Sequence, residues 1–402
     1  MGMTDAPGLK RKRNKDGSVR EYWMARSDLV KRGYRPSSVR LHYPESDEGR
    51  SQIAARCHIL QAEMLAWAST GDFATPGYDG TLTSLSRLFQ TDADSPYHSM
   101  KWNSRVNVTK SLVIVERTVG TRQIAKLLGP DFKRWHRAWG EPKQPDAPAR
   151  PWRAKHTMDI VRQLIAYGVT LGFDDCFRAD MILSKIRFPT PPARKAILTA
   201  AHVEAIRATA HAEGFPSIAL ATVLQFGLAL RQKDVIGEWE PIGDGDGGIR
   251  YKGTRWVNGL TWSDIDADMI LRKTHTKTGF DVEHDLTYHP AVLAEIAKVP
   301  ADRRVGPIII SENTGEPYKH RNFTQRWRII ADRAGLPKGI WNMDARAGAI
   351  TEAYNLGAAE TDVMKSAGHR NRQTSARYNR GTIAQTNRVA IMRMEKPTEN
   401  DR

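Results

Sequence analysis

Apolar residues recur every three or four positions through most of this chain, and this pattern predicts a mainly helical protein. The longest such region lies between residues 81 and 173, where TLTSLSRLFQ and AKHTMDIVRQLIAYGVTLGF are the first and last predicted helices. A further helix is predicted over 51–68. The segment SIALATVLQFGLAL (217–230) is apolar on almost every side. We therefore expect it to form a buried central helix that Arg231 terminates.

Two regions predict strands instead of helices. Residues 9–41 contain two partly alternating runs on either side of an Asp16-Gly17 turn signal, and they predict a small β unit. Farther along, LTWSDID and the segment 269–289 predict one small antiparallel sheet with a turn near Thr278-Gly279. About 22 residues at 239–260 precede this sheet and contain GDGDGG, so we expect a surface loop there.

Glycine- and proline-rich linkers at 71–80 and 188–196 divide the chain. A length of 402 residues is enough for two or three domains at roughly 100–200 residues each. We predict three: 1–78, a basic β-hairpin and helix; 79–188, a helical domain; and 189–402, a mixed domain with the small sheet. The predicted fold class is α+β and mostly helical.

The net charge of +16 is the strongest signal in the composition, because such an excess attracts polyanions and above all nucleic acids. Residues 9–40 hold 11 Lys and Arg against 3 Asp and Glu, whereas residues 190–402 hold 30 against 25. The N-terminal half is therefore expected to grip the polymer. Its candidate DNA contacts are Lys10, Arg11, Lys12 and Arg13.

Other classes of protein are disfavoured by the same sequence. No apolar run approaches the roughly 18 residues that span a bilayer, and the N-terminus lacks the apolar stretch of a secretory signal. Cys57 and Cys176 cannot make a disulfide framework, and no Cys/His cluster has zinc spacing. We expect a soluble cytoplasmic protein with no membrane partner, metal or cofactor.

Three separate positions are candidates for binding an anion. Arg231 follows the apolar segment directly, and burying its charge is costly unless an anion meets it. Taken alone, an ion pair with Asp234 explains Arg231 more simply. Lys277 lies at the predicted hairpin tip, where a solvated lysine is the ordinary case. Arg346 lies at the start of a predicted helix, where backbone N–H groups also favour an anion.

The stretch SAGHRNRQTSARYNR (366–380) adds one His and one Tyr in a basic setting. Taken singly, His369 is most simply a structural hydrogen-bonding residue and Tyr378 a half-buried packing residue. Together with two Arg and a Lys, they supply what metal-free attack on a phosphodiester needs. The tyrosine oxygen is a nucleophile, paired guanidinium groups hold the non-bridging oxygens, and the lysine is a general acid.

The order and spacing of these residues resemble the tyrosine site-specific recombinases, also called phage integrases. The matching pieces are FGLALRQKDVIG, GLTWSDID, THTKTG and MDARAGAITEAYNLGAAETDVMKSAGHRNRQTSARYNR, which cover most of 198–380. The intervals from Arg346 to His369 and from His369 to Tyr378 agree with the family's usual register. Residues 81–173 resemble the family's core-binding domain, and the basic hairpin is weakly similar to its arm-binding domains.

This resemblance implies a C-shaped clamp around double-stranded DNA, a homotetramer on synapsed DNA and cleavage through a 3′-phosphotyrosyl intermediate. Integration or excision of a phage or mobile element is the implied role, and accessory directionality factors serve some members of the family. The segment 382–394 is a candidate for docking on a neighbouring protomer. The implied site residues are Tyr378 as nucleophile, Arg231, Arg346 and His369 on the phosphoryl oxygens, Lys277 as general acid, Asp234 orienting Arg231, and Arg370 and Arg372 as backbone contacts.

The chain departs from the family pattern in two places. The family usually has His-x-x-Arg at the second arginine, but here the first position is Met343, which cannot donate a hydrogen bond to phosphate. The inserted residues 239–260 are the other departure. Met343 leaves open a DNA-binding protein that kept the recombinase fold without turnover. A type IB topoisomerase, which uses a similar residue set, is a second alternative, and an unrelated RNA-binding protein would leave the spacing unexplained.

Overall fold

The structure is a computed structural model that describes residues 6–13, 19–31, 34, 36–41, 43, 46–69, 77–192, 194–243, 247–379 and 383–394. The chain forms two compact units, Met1–Pro192 and Ala193–Arg402. The predicted fold class is confirmed, because the chain is mostly helical with small antiparallel sheets. None of the helices in these ranges combines the length and the apolar character that crossing a membrane requires.

The first unit begins with an antiparallel sheet in the order β1-β2-β3, and its hydrophobic centre is the fully buried Trp23. The Trp23 ring meets Tyr34 edge-on, and Met64 from the following helix belongs to the same core. The predicted Asp16-Gly17 turn lies outside the described residues. The elements are β1 (Leu9–Arg13), β2 (Val19–Met24), α1 (Ser27–Lys31), β3 (Ser38–Leu41) and α2 (Asp47–Ser69).

The rest of the first unit is helical, as the apolar periodicity predicts. Thr81 caps the first of these helices because its hydroxyl accepts a hydrogen bond from the Ser84 backbone N–H at 3.1 Å. These helices enclose a core separate from that around Trp23; the predicted domain boundaries stay predictions. The helices are α3 (Leu82–Thr91), α4 (Pro96–Ser99), α5 (Trp102–Val119), α6 (Gly129–Gly140), α7 (Pro151–Thr170) and α8 (Asp174–Ser184).

The second unit is built around one buried helix, α10, whose residues 217–226 are all buried. It ends at Gly227, so the predicted end at 230 is wrong. The chain reverses at Ala229 (φ 47°), and Arg231 therefore precedes the next helix instead of terminating this one. The helices are α9 (Ala200–Ala212), α10 (Pro216–Gly227), α11 (Gln232–Ile236), α12 (Pro290–Ala297), α13 (His320–Arg333), α14 (Asp344–Leu356), α15 (Glu360–Ala367), α16 (Arg372–Ala376) and α17 (Ile383–Met394).

The described residues of the second unit form two antiparallel sheets, whereas one was predicted. The second sheet forms from the insertion, so the expected surface loop at 239–260 is also wrong. Trp256 explains the difference, because its Nε1 donates to the Ile236 carbonyl at 2.9 Å and its ring fills the space beside Gly237 and Gly259. The strands are β4 (Glu238–Pro241), β5 (Arg250–Tyr251) and β6 (Thr254–Val257) in the order β4-β6-β5, and β7 (Ile270–Thr274) with β8 (Asp281–Asp285).

Candidate active site

Arg231 is positioned by the tight turn that follows α10. The Leu230 N–H returns to the Gln225 carbonyl at 3.0 Å, and Arg231 then begins α11. Its Nη1 atom is buried and donates no hydrogen bond to any part of the chain that the structure describes. The Asp234 carboxylate lies 3.7 Å away, so the ion pair expected from the sequence exists only as a long one. A buried N–H without an acceptor costs about 1–3 kcal/mol, which favours an anion beside it.

Asp234 anchors the β7–β8 hairpin to α11. It is fully buried, with Oδ2 at 2.6 Å from His275 Nδ1 and Oδ1 accepting the Thr276 backbone N–H at 2.9 Å. Burial opposes ionisation, but these two hydrogen bonds outweigh it and hold the pKa of Asp234 at about 2. His275 was not assigned a role from the sequence. The signal for it was the inward alternation of β7, in which Leu271 is buried and His275 occupies a later position on the same face.

Lys277 lies in the turn of this hairpin and is exposed. Within the described ranges, its side chain makes no hydrogen bond or ion pair with the other candidate residues. The backbone that carries it is fixed on two sides, because Thr276 binds Asp234 and the Gly279 carbonyl accepts a hydrogen bond from Arg370 Nη2 at 3.2 Å. The predicted turn near Thr278-Gly279 is confirmed.

Arg346 lies in the first turn of α14, as predicted, and is buried. Its Nη1 donates to the Ala229 carbonyl and its Nη2 to the Ala367 carbonyl, so one guanidinium joins the turn after α10 to the end of α15. Burial and the neighbouring charge of Arg231 lower the pKa of Arg346 to about 10. The two guanidinium groups are therefore close enough to repel each other.

His369 follows Gly368, which ends α15 in the left-handed conformation (φ 59°). A Cβ atom on Gly368 would overlap the His275 ring, so the absence of a side chain lets the hairpin approach this turn. His369 is 4% exposed, and its Nδ1 forms a 2.7 Å hydrogen bond with the Ser375 hydroxyl. Burial, followed by the charges of the two site arginines, lowers the pKa of His369 to about 4. Its imidazole is therefore neutral at pH 7.

Tyr378 follows α16 and stacks on His369, with ring centroids 5.7 Å apart and planes inclined by 12°. Its backbone is fixed, because its N–H donates to the Ser375 carbonyl at 2.9 Å and its carbonyl accepts the Thr351 hydroxyl at 3.3 Å. The phenol lies close enough to Arg346 to favour the charged form of that guanidinium. Tyr378 is half-buried and therefore within reach of solvent.

The remaining predicted residues lie outside this cluster. Met343 precedes α14, and its side chain is 64% exposed. Arg372 is exposed and forms an ion pair with Glu360 at 2.6 Å. The basic run of β1 belongs to the first unit, where Arg11 forms an ion pair with Glu21 at 2.8 Å. The residues that the second unit brings together are Arg231, Asp234, Arg346, His369 and Tyr378, with Lys277 on the anchored hairpin.

Lowering the pH from 7 to 5 is expected to destabilise the protein by about 2 kcal/mol for each of two histidines. Burial lowers the pKa of His284 on β8 to about 4, as it does for His369. An unfolded histidine binds a proton near pH 6.5, so between about pH 6.5 and 4 the unfolded state holds more protons and gains stability as the pH falls. Urea unfolding at pH 7, 6 and 5 measures this loss. His284→Gln should reduce the loss between pH 7 and pH 5 by about 2 kcal/mol, and an unchanged dependence would contradict the assignment.

Comparisons with known proteins show that this chain is similar to several solved structures. No protein-family model and no curated protein sequence matches the chain. A lambda integrase dimer bound to a COC′ core site matches with a TM-score of 0.56 and 14% identity, over 93% of this chain and 95% of that chain. A lambda integrase tetramer bound to a Holliday junction matches with a TM-score of 0.57 and 14% identity, over 94% and 96%.

A second integrase has the same architecture. The Tn1549 transposon integrase in complex with transposon right end DNA matches with a TM-score of 0.53 and 17% identity, over 78% of this chain and 99% of that chain. The lambda and Tn1549 integrases are both tyrosine recombinases. Sequence identities of 14–17% support similarity of fold. The sequence motifs predict the same fold. The chain therefore has the tyrosine recombinase fold.

Proposed function

We propose that the protein is a site-specific DNA recombinase that cuts and rejoins duplex DNA, integrating or excising a phage or other mobile element. The observation that carries this proposal is the meeting of two arginines, a neutral histidine and a tyrosine at one point of the second unit. Each of these side chains has a simple structural explanation alone. Together they surround a position where the two arginine charges create a positive potential, and such a position favours a bound phosphate.

In the proposed reaction, the Tyr378 phenol loses its proton to solvent, and its oxygen attacks the scissile phosphorus. A bond forms between that oxygen and phosphorus while the bond from phosphorus to the 5′-oxygen breaks, which leaves a 3′-phosphotyrosyl link. Lys277 donates a proton to the leaving 5′-oxygen. Because the phosphotyrosyl bond keeps the energy of the broken one, a 5′-hydroxyl from another strand can reverse the step without ATP or another cofactor.

The electrostatics of the cluster suit this step. Repulsion between Arg231 and Arg346 is relieved when a phosphodiester lies between them, and relieved further when the pentavalent transition state gains negative charge. His369 is neutral, and its Nδ1 faces the Ser375 hydroxyl. With Nδ1 accepting from that hydroxyl, Nε2 carries the proton and can donate it in a hydrogen bond to a phosphoryl oxygen. Asp234 contacts both Arg231 and the Thr276 backbone, and it thereby fixes the position of the Lys277 hairpin relative to Arg231.

Double-stranded DNA is the proposed partner, and a homotetramer on synapsed DNA is the proposed assembly. The matched lambda integrase structures are a DNA-bound dimer and a tetramer on a Holliday junction. In this chain, α17 carries apolar side chains that are at least half exposed, among them Ile383, Val389 and Met394, and these suit contact with a neighbouring protomer. A cytoplasmic, nucleoid-associated location and an accessory directionality factor belong to the same proposal.

A nicked suicide duplex bearing the attachment site that flanks the gene tests the function. The wild-type protein should form a covalent adduct, because loss of the short nicked fragment prevents resealing. A plasmid gel separates the topoisomerase alternative: relaxation of any supercoiled plasmid without sequence preference would favour that enzyme. Noncovalent binding to the site without any adduct would favour the alternative of a recombinase fold without turnover.

Met343→His should leave the rate of adduct formation unchanged or raise it. The Met343 side chain is 64% exposed, so a histidine there displaces no buried group, and it adds a hydrogen-bond donor at the start of the helix that carries Arg346. Single-turnover cleavage of the suicide duplex measures the effect, with Met343→Leu as the control that adds no donor. A collapse of cleavage in the histidine variant alone would mean that the methionine has a packing role of its own.

A further inference from the structure

The inserted sheet presents a lysine at the tip of a strained hairpin. Lys252 and Gly253 form the two-residue turn between β5 and β6, with φ of 47° and 75°. This is the pattern of a type I′ turn, in which Asn or Gly is usual at the first position. A lysine in the left-handed conformation costs about 1 kcal/mol. The turn thus exposes the Lys252 side chain to solvent, although its backbone conformation lowers the stability of the fold.

A second lysine, from a distant part of the chain, contacts the same tyrosine ring as the first. The ammonium groups of Lys252 and Lys319 lie 5.1 and 5.0 Å from the centroid of the Tyr251 ring. Trp239 of β4 meets the Tyr251 ring edge-on, and its Nε1 donates to the Pro317 carbonyl at 3.3 Å. Tyr251, Lys252 and Lys319 are called the hairpin patch below. Two like charges held at one ring repel each other, so an anion bound near both would stabilise the arrangement.

The two glutamates of strand β4 pair with cations outside the hairpin patch. Glu238 forms an ion pair with Lys233 at 2.7 Å, and Glu240 forms one with Arg255 at 2.7 Å. Within the described part of the chain, neither Lys252 nor Lys319 lies within ion-pair distance of a carboxylate. Among the described residues, the glutamates of β4 are therefore paired elsewhere, and the hairpin patch keeps its positive charge.

The hairpin patch also lies within reach of a duplex bound at the candidate active site. The sheet continues directly from α11, which Arg231 begins. Five helical residues and five extended ones between Arg231 and Pro241 span roughly 25 Å at most. Pro241 pairs with Thr254 at the base of the hairpin turn. One turn of duplex DNA is roughly 34 Å long, so a single duplex turn can span both places.

We propose that the hairpin patch binds backbone phosphates of the same duplex, away from the cleaved phosphate. This inference rests on the proposed DNA substrate. Lys252 and Lys319 supply two phosphate contacts that carry no sequence information, and they fix the position of the second unit along the duplex. The insertion thereby adds a DNA contact to the fold, and it lengthens the stretch of DNA that the second unit covers.

The test measures binding of the full-length protein to a 30-base-pair duplex of arbitrary sequence at several salt concentrations. Lys252→Gln with Lys319→Gln should weaken binding roughly tenfold or more, and should reduce the slope of log K against log salt by about 2. The matched control, Lys252→Arg with Lys319→Arg, keeps both charges and should bind with the wild-type slope. DNA should also protect Lys252 and Lys319 from an acylating reagent, measured by mass spectrometry against the exposed Lys338.

An unchanged slope with unprotected lysines would overturn the inference. Because these residues do not touch the scissile phosphate, the Gln variant should form the covalent adduct at the wild-type rate when the protein is saturating. A wild-type adduct together with an unchanged slope refutes the patch alone. A wild-type protein that neither binds duplex DNA nor forms an adduct refutes the proposed function, and the patch with it.

Discussion

Replacement of Tyr378 by Phe should abolish the covalent adduct on a nicked suicide duplex and leave both DNA binding and the fold intact. The substitution removes only the phenolic oxygen, which is the proposed nucleophile. The aromatic ring that stacks on His369 remains, and so do the backbone hydrogen bonds to Ser375 and Thr351. We expect no adduct under conditions in which the wild-type protein is converted fully, as measured by denaturing gel.

Tyr354 provides a matched control for this variant. It lies on α14 in the small hydrophobic cluster against which Tyr378 packs, and its hydroxyl is buried without a hydrogen-bond partner among the described residues. Burial raises the pKa of Tyr354 and so keeps its hydroxyl protonated. Tyr354→Phe should therefore form the adduct normally. Equal adduct yields from wild type and Tyr378→Phe, or loss of the adduct only in Tyr354→Phe, would sink the assignment of the nucleophile.

The two site arginines should respond differently to replacement by Ala, even though both are proposed to bind the scissile phosphate. Each replacement should lower the single-turnover cleavage rate by about 10²–10³, the usual effect of losing a donor to transition-state charge. Arg346→Ala should also destabilise the protein by about 2 kcal/mol, because the buried carbonyls of Ala229 and Ala367 lose their donor. Thermal or urea unfolding measures this second effect.

Arg231→Ala, by contrast, should leave the free energy of unfolding unchanged or raise it. The Nη1 atom of Arg231 is buried without an acceptor in the described chain, and its charge opposes that of Arg346. Its ion pair with Asp234 is long, and Asp234 keeps its hydrogen bonds to His275 and Thr276. A site residue that costs stability is expected where function requires an unpaired charge. Equal destabilisation by both substitutions would show that Arg231 is mainly structural.

The sequence predicted most of the fold because strong local patterns coincided with long-range packing. The apolar segment at 217–230 does contain the buried central helix of its unit, although the helix ends at Gly227. The turn after α10 escaped prediction, since Ala229 is a residue type that rarely adopts positive φ. The local hydrogen bond from Leu230 to Gln225 and the tertiary hydrogen bond from Arg346 to the Ala229 carbonyl stabilise that conformation.

The insertion was mispredicted for a related reason. Its glycine-rich composition favours a loop, whereas the sheet depends on Trp256 filling a space beside Gly259 and beside Gly237, which comes earlier, before the strands begin. His275 was overlooked because a lone histidine carries no signal until its partner is known, and Asp234 lies 41 positions earlier. The proposed roles of the site residues stay predictions, since packing alone does not test catalysis.

A side chain at position 368 would overlap the His275 ring. Selection therefore cannot vary positions 275 and 368 independently of each other. In a library randomised at both, functional clones with His at 275 should nearly always keep Gly at 368. A larger residue at 368 should be recovered only together with a smaller one at 275, and such pairs would lose the anchor between the hairpin and Asp234. The residues that are accepted at one position therefore depend on the residue at the other. Related sequences should show this dependence as covariation between positions 275 and 368.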